Sequence, residues 1–186
     1  MAQLYYPLLR NRIRQIISGN YGPQKCRFGQ GIRVQINQKT KLPEPRNHNG
    51  IDLEANEGTA VFSITDGYLY WRNSRQSGFG LELVLEFEYG GTTLYAQYAH
   101  LQSISVAIQS EQGLVFYAGR DTDFCTGYRP LGSVMGRDMI GFTGSSGNAR
   151  GLPKIEEHLH FGIAKGMSEV LTGWIDPEQV LRRIPG

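Results

Sequence analysis

The four histidines of this chain all lie in strand-like or turn-like segments, and their spacing strongly constrains the fold. Because side chains at positions i and i+2 of a β-strand point to the same face, His158 and His160 share one face of their segment. The same rule places His48 and Asp52 on one side of theirs, with Gly50 leaving the surface between them open. Imidazole and carboxylate groups are suitable zinc ligands. The pattern therefore predicts one metal site, assembled from remote stretches of a β-fold.

The fourth histidine, His100, ends a different strand-like segment and would reach the site from a third direction. Three protein ligands would leave the fourth zinc position for water, whereas four histidines would close the site and make it structural. Asp52 is better placed than a remote histidine, and cysteine, the usual structural ligand, is scarce. A single histidine on a strand is more often a surface or hydrogen-bonded residue than a ligand. The joint arrangement is what favours a metal.

Length and composition are those of a single β-rich domain. The chain has 186 residues, enough for one core, and its 24 glycines predict many turns. A formal net charge of +2 gives no indication of nucleic-acid binding. No apolar run approaches the length of a membrane span. Cys26 and Cys125 either pair or remain free thiols, and free thiols are favoured because the spacing carries no pairing signal.

The N-terminus does not resemble a signal peptide. Arg10, Arg12 and Arg14 interrupt the apolar stretch that a signal peptide would keep continuous. We therefore expect export by another route, such as a secretion system or a phage particle, or a leader that has been trimmed away. A delivery machine or an immunity protein would be a further partner, whose identity no motif indicates.

Hydrophobic alternation predicts an antiparallel sheet with a short helix at each end. The expected elements are a helix over 7–18, strands over 31–36, 58–64 and 68–71, a hairpin over 81–99 with its turn at Gly90-Gly91, and a helix starting at Asp176-Pro177. Residues 38–47 are expected to form a loop, and Asp66-Gly67 a tight turn into a return strand. The glycine-rich stretch 136–148 predicts β-turns, since it lacks the lysine of a phosphate-binding loop.

Two features leave alternatives open. Glu82, Glu86 and Glu88 alternate along the hairpin and predict a solvated strand face, because antiparallel sheets commonly expose one side. Residues 103–133 contain strand-like pieces separated by polar turns, with an irregular stretch around 121–129. This segment is either a lid or groove wall, or a solvated insertion.

Six motifs, taken in order, resemble those of lysostaphin-type (LytM-like) zinc metalloendopeptidases of bacterial cell walls. They are His48-x-x-x-Asp52, Gly58-Thr59, Asp66-Gly67, Tyr98-Ala99-His100-Leu101, Gly141-x-x-Gly144 and His158-Leu159-His160-Phe161. The resemblance covers about 46–166. It implies a mainly β, antiparallel domain with a narrow groove, one Zn²⁺ ion, and action on peptidoglycan in the periplasm or at the cell wall. The bond cut would be a peptide crosslink or a stem peptide, with a D-Ala–diaminopimelate crosslink favoured over a glycyl-glycine bridge.

The resemblance also implies residue roles. His48, Asp52 and His160 match the metal ligands, while His100 and His158 match the catalytic histidines. His158 would act as general base, and His100 would orient the water or stabilise the developing oxyanion. The whole chain, 1–186, would be one domain. Its catalytic core would span about 46–166, with an N-terminal helical extension over 1–45 and a C-terminal helical tail over 167–186.

The sequence departs from the family pattern in a longer 103–133 segment and in the charged stretch 154–157. Both departures would alter the substrate groove rather than the metal site. Two other functions stay open: a non-hydrolytic module that binds cell wall or activates a hydrolase, and an enzyme in which Asn47 or Asn37 blocks the water position. Glu157 could fix the tautomer of a histidine only if it faced the same side as His158. Adjacent residues of a strand face opposite sides, so a solvated carboxylate is expected there.

Overall fold

The computed structural model describes residues 3–9, 26–29, 33–36, 40–74, 78–110, 113–120 and 122–182. The strands are β1 (Arg33–Ile36), β2 (Pro43–Arg46), β3 (Gly50–Glu54), β4 (Ala60–Phe62), β5 (Gly67–Asn73), β6 (Leu81–Tyr89), β7 (Thr92–Ala99), β8 (Leu101–Ser110), β9 (Gly113–Arg120), β10 (Cys125–Val134), β11 (Met139–Thr143), β12 (His158–Ala164), β13 (Gly166–Met167) and β14 (Leu171–Thr172), and one helix, α1, spans Pro177–Leu181. The predicted class, mainly β and antiparallel, is confirmed.

One ten-stranded sheet carries the fold, in the order β3-β12-β7-β6-β5-β10-β8-β11-β4, with β9 paired to the outer side of β8. Two small sheets, β1-β2 and β13-β14, lie outside it. The β6–β7 hairpin turns at Gly90 and Gly91. Their φ angles of 61° and 77° suit a tight two-residue turn, and residues other than glycine rarely adopt such positive values. This part of the prediction is confirmed.

The hydrophobic core lies against one face of this sheet. Alternate residues of β6, β7 and β12 point into it and are fully buried, including Leu83, Tyr98 and Phe161. The hydroxyl oxygen of Tyr98 accepts a hydrogen bond from the Ile64 backbone N–H at 3.1 Å. Because the intervening residues of β12 point the other way, His158 and His160 lie on the opposite face from the core.

Both ends of the described chain pack on this core. Leu4 and Leu8 join it from the N-terminal segment, and Val180 and Leu181 join it from α1. The Asp176 side chain accepts a hydrogen bond from the Glu178 backbone N–H at 3.0 Å, so α1 begins where the sequence predicts. The helix predicted over 7–18 falls largely outside the described residues, and 7–9 form bends.

Two connections differ from the prediction. Residues 43–46 form β2, paired with β1, rather than part of a loop; proline is tolerated there because a two-stranded sheet has only edge strands. The Asp66-Gly67 turn does not make a hairpin, since β4 pairs with β11 while β5 pairs with β6 and β10. The Asp66 carboxylate accepts a hydrogen bond from the Gly136 backbone N–H at 2.8 Å, which holds the turn against a remote loop.

The prediction of a solvated glutamate face is wrong at Glu82, which is fully buried. Arg72 Nε donates to its carboxylate at 2.6 Å, and the Gln97 side-chain amide donates to the other oxygen. Burial raises the pKa of Glu82, while the charge of Arg72 acts in the opposite direction. The face is covered here because Leu171 of β14 packs over Val84, whereas Glu88 at the far end is exposed as predicted.

Residues 103–133 are more regular than predicted. Strands β8 and β9 pair along their length, from Ser103 opposite Arg120 to Ser110 opposite Gly113, and β10 returns to the sheet with two irregularities in register. We call β8 and β9 the insertion hairpin. Cys125 begins β10 and is buried, as is Cys26; the two do not form a disulfide bond, as favoured from the sequence. Among the described residues, no helix is long and apolar enough to cross a membrane.

Candidate metal centre

Strand register brings the predicted site together. β12 lies between β3 and β7, and His160 is opposite Asp52 on one side and Ala99 on the other. His100 follows Ala99 directly, so the end of β7 delivers it beside β12. His48 lies two residues before the start of β3 and reaches the same place from outside the sheet. The sheet thus gathers all five predicted site residues at one point on its non-core face.

The three predicted ligands form a nearly equilateral triangle of donor atoms. His48 Nε2 is 3.0 Å from His160 Nδ1 and 3.2 Å from Asp52 Oδ1, and His160 Nδ1 is 3.1 Å from the same oxygen. Donors of a tetrahedral zinc site lie roughly 3.3 Å apart, because the metal–ligand bonds are about 2.0–2.1 Å long. The side chains are 1–2% exposed, so they are preorganised within the protein. This donor set fits one zinc ion.

Gly50 contributes to this geometry in a way that differs from the prediction. The space beside it is filled by the His160 ring rather than left open. A Cβ atom on Gly50 would lie 2.9 Å from His160 Nε2 and 2.4 Å from the Phe161 carbonyl oxygen. Glycine is therefore required on β3 so that the imidazole can lie across the neighbouring strand with Nδ1 toward Asp52.

Backbone carbonyls fix the tautomers of the other three histidines. The Nδ1 atom of His48 lies 3.2 Å from the Arg27 carbonyl oxygen; that of His100 is 3.0 Å from Ser146 O, and that of His158 is 2.8 Å from Glu156 O. A carbonyl oxygen only accepts hydrogen bonds, so each Nδ1 carries the proton. In the neutral ring the Nε2 lone pair is then left as ligand or base.

His158 and His100 stand beside the triangle. His158 Nε2 is 3.7 Å from Asp52 Oδ1, and the His100 and His158 rings meet edge to face with their centroids 5.2 Å apart. His100 has a φ of 61°, a left-handed backbone conformation that is unfavourable for a residue with a side chain. Such strained conformations cluster at functional sites, where they aim a side chain that regular structure would turn away.

Electrostatics keep Asp52 charged and His100 neutral. Burial alone would raise the pKa of Asp52, but the charge of His158 and hydrogen bonds from His160 and His48 hold that pKa well below its usual value. Burial lowers the pKa of His100, and repulsion from His158 and His160 lowers it further. At neutral pH the site therefore contains an ionised Asp52 carboxylate and an uncharged His100.

Several residues around the site were not found from the sequence. A narrow pocket over the donors is lined by Asn47, His48, Asn49, Gly78, Phe79, Asn148 and His160. The Phe79 ring centroid lies 5.0 Å from that of His160 and 6.4 Å from that of Trp174. No local motif marks Phe79 or Trp174, because contacts between distant parts of the chain bring them to the site. Asn37, the other residue considered as a blocking group, is outside the described part of the chain.

Glu157 is half-buried, whereas the sequence predicted a solvated carboxylate. Its carboxylate accepts a hydrogen bond from the Glu57 backbone N–H at 2.7 Å. The group that orients His158 is instead the backbone carbonyl of Glu156. The sequence cannot reveal such a partner, since every residue has a carbonyl.

Sequence comparison agrees with this geometry. Residues 46–124 match the sequence model of Peptidase family M23. Over this range, which is less than half of the chain, the sequence is similar to M23 peptidases. The matched range includes His48, Asp52 and His100, whereas His158 and His160 lie beyond it and meet the others through β12. The resemblance to lysostaphin-type, LytM-like peptidases that the motifs indicated is thereby confirmed.

Curated relatives are DD-carboxypeptidase/endopeptidase Mpg of Neisseria meningitidis serogroup B and of Neisseria gonorrhoeae. They are 32% and 31% identical to this chain over 116 residues, which is 62% of the chain. The chain spans only about a fifth of the length of these relatives, since 20% of each is covered.

Two solved structures are similar to the fold. Lysostaphin from Staphylococcus simulans matches with a TM-score of 0.46 and 22% identity, over 74% of this chain and 45% of that one. The catalytic domain of the prophage-encoded M23 protein EnpA from Enterococcus faecalis matches with a TM-score of 0.45 and 19% identity, over 89% and 95%.

Proposed function

We propose that this chain is a zinc-dependent endopeptidase that cleaves peptide crosslinks or stem peptides of peptidoglycan. The observation that carries the proposal is the arrangement of five buried side chains: three donors within 3.2 Å of one another, and two further histidines beside them whose Nδ1 protons are committed to carbonyls. The proposed hydrolysis uses all five groups, whereas passive binding to the cell wall would require none of them. The proposed ligands are His48, Asp52 and His160.

A zinc ion bound by these ligands would supply Lewis acidity and lower the pKa of a coordinated water molecule to about 7, against 15.7 in bulk. Two neutral imidazoles and one carboxylate leave the centre with a net positive charge, which suits that chemistry. Asp52 stays ionised in its buried position because three histidines surround it, so the carboxylate is ready to bind without losing a proton first.

The two remaining histidines are proposed to be catalytic. His158 Nε2 faces the triangle with its lone pair, because the Glu156 carbonyl holds the proton on Nδ1, so it would accept a proton from the attacking water. His100 is held in the same way by Ser146 and would orient the water or, once protonated, stabilise the oxyanion. Glu157 takes no part, since its carboxylate is bound to the Glu57 backbone.

The substrate we favour is a D,D-type crosslink, such as D-Ala–diaminopimelate. Support comes from the Neisseria relatives, whose name describes DD-carboxypeptidase and endopeptidase activity. Action in the periplasm or at the cell wall follows from such a substrate. We propose that the catalytic core spans about 46–166, and that the segments over 1–45 and 167–186 are an extension and a tail of the same domain.

The test combines metal analysis with defined substrates. The purified chain should contain about one zinc per molecule, and it should cut muropeptides of D,D-crosslinked type into products of the expected mass. Exhaustive chelation should abolish cleavage, and added zinc should restore it. Undiminished cleavage after chelation would disprove the zinc mechanism. Binding to sacculi without any cleavage would instead favour the non-hydrolytic module.

A further inference from the structure

We propose that Trp174 is a positioning residue for the metal centre, acting through Asn49 on the ligand His48. The inference rests on the proposed zinc function. Asn49 is the residue between His48 and β3, and its side-chain oxygen, with the amide turned so that both of its groups are satisfied, accepts a hydrogen bond from Trp174 Nε1 at 3.1 Å. In the same orientation the amide nitrogen donates to the Asn47 carbonyl at 3.3 Å.

His48 needs such support because it is the ligand outside the sheet. Asp52 and His160 are opposite each other in the β3–β12 pair, so regular pairing fixes their separation. His48 precedes β3 and is held by contacts outside strand pairing: its ring nitrogen meets the Arg27 carbonyl, and its own carbonyl accepts from the Gly29 N–H at 2.9 Å. The hydrogen bond from Trp174 to Asn49, which we call the clamp, restricts the remaining conformational freedom of this segment.

Trp174 is itself tied to the strand that carries the other ligand. The next residue, Ile175, donates its backbone N–H to the Ile163 carbonyl of β12 at 2.9 Å. The indole lies over Gly162, where a Cβ atom would be 2.7 Å from the ring. The indole therefore links β12, which supplies His160, to the segment that supplies His48.

Phe79 completes the contact. Its ring centroid is 6.4 Å from that of the Trp174 indole and 5.0 Å from that of the His160 imidazole. The indole is thus connected to His48 through its hydrogen bond to the adjacent Asn49, and to His160 through the ring of Phe79. Partners outside the ligand shell typically change metal affinity by about 10- to 100-fold when they are removed.

The experiment measures zinc affinity by competition with a chromophoric chelator. Trp174→Phe keeps a ring over Gly162 but removes the N–H, and zinc binding should weaken about tenfold. Asn49→Ala should have a similar effect. If the two residues act as one clamp, the double variant should be no weaker than either single variant, because residues in one hydrogen-bonded network are not additive.

Trp71→Phe is the matched control. The chain has two tryptophans, and Trp71 packs against Tyr117, next to the insertion hairpin. Its replacement should leave zinc affinity unchanged. Native affinity in Trp174→Phe, or additive losses in the double variant, would overturn the clamp while leaving the proposed function intact. Failure of the native chain to bind zinc would overturn both, and Asn49→Ala still tests the clamp if Trp174→Phe does not fold.

Discussion

The metal centre and the insertion hairpin distribute their side chains in opposite ways. At the metal centre, the four histidines and Asp52 are at most 5% exposed. On the hairpin, Leu114 is 57% exposed and Phe116 is 78% exposed. Polar groups are thus buried at one place in the sheet, while large apolar groups face water at another.

This difference indicates that the proposed chemistry takes place at the metal centre, and that the insertion hairpin only extends the sheet. Burying polar groups is costly unless each finds a partner, and at the candidate metal centre backbone carbonyls and neighbouring side chains provide those partners. Exposed apolar side chains carry no comparable requirement. We therefore expect substitutions at the metal centre to change metal binding and cleavage, and substitutions on the hairpin to change little.

The largest effect is expected for His160→Ala. This change removes one corner of the donor triangle and leaves Asp52 and His48 without their central neighbour. Zinc content should fall from about one per chain to near zero, and cleavage of muropeptides should be lost with it. Metal analysis after gel filtration measures the first and mass analysis the second. Retained stoichiometric zinc would show that His160 is not a ligand.

His158→Ala separates the base from the ligands. The chain should keep its zinc, because the three donors remain, while the cleavage rate falls about 10²- to 10⁴-fold, the range usual for loss of a general base. Single-turnover digestion of a defined crosslinked muropeptide would give the rate. Cleavage at the native rate would mean that another group accepts the proton.

Gly50→Ala tests the packing of the imidazole against β3. The added methyl group would collide with the Phe161 carbonyl and the His160 ring, so the free energy of unfolding should drop by about 1–3 kcal/mol and zinc binding should weaken. The matched control is Gly127→Ala in β10. No atom lies within 4 Å of its added carbon, so its unfolding free energy should change by less than about 0.5 kcal/mol. Denaturant unfolding distinguishes the two, and equal effects would contradict the close contact.

The smallest effect is expected for Phe116→Ser on the insertion hairpin. The side chain is exposed and lies opposite Ala107 on β8, so the unfolding free energy should change by less than about 0.5 kcal/mol. Zinc content and cleavage should match the native chain. A clear loss of cleavage with intact zinc would show instead that the hairpin is a wall of the substrate groove.

The sequence predicts well those features that depend on local pattern. Alternation fixed the facing of His158 and His160, paired glycines located the β6–β7 turn, and Asp176-Pro177 marked the start of α1. In each case a property of a few adjacent residues determines the structure, so no distant contact was needed.

Features set by distant contacts were not predictable. Glu82 looked solvated because nothing in its own strand shows that Leu171 and its neighbours cover that face. The Asp66-Gly67 turn has the residues of a hairpin, yet β4 finds its partner in β11. The carbonyls that orient the histidines, and the indole beside Asn49, likewise depend on the assembled sheet.

The pairing of β3 with β12 has a consequence for when the site can form during folding. His48 and His160 are separated by 112 positions in sequence, and the eight other described strands of the large sheet, β4 to β11, are encoded between β3 and β12. Closing so long a loop requires the intervening sheet to form, because non-local contacts repay the entropy of loop closure only late in folding. A ribosome-bound or half-translocated chain that stops short of β12 would lack one corner of the triangle and would have no complete set of donors to offer an ion.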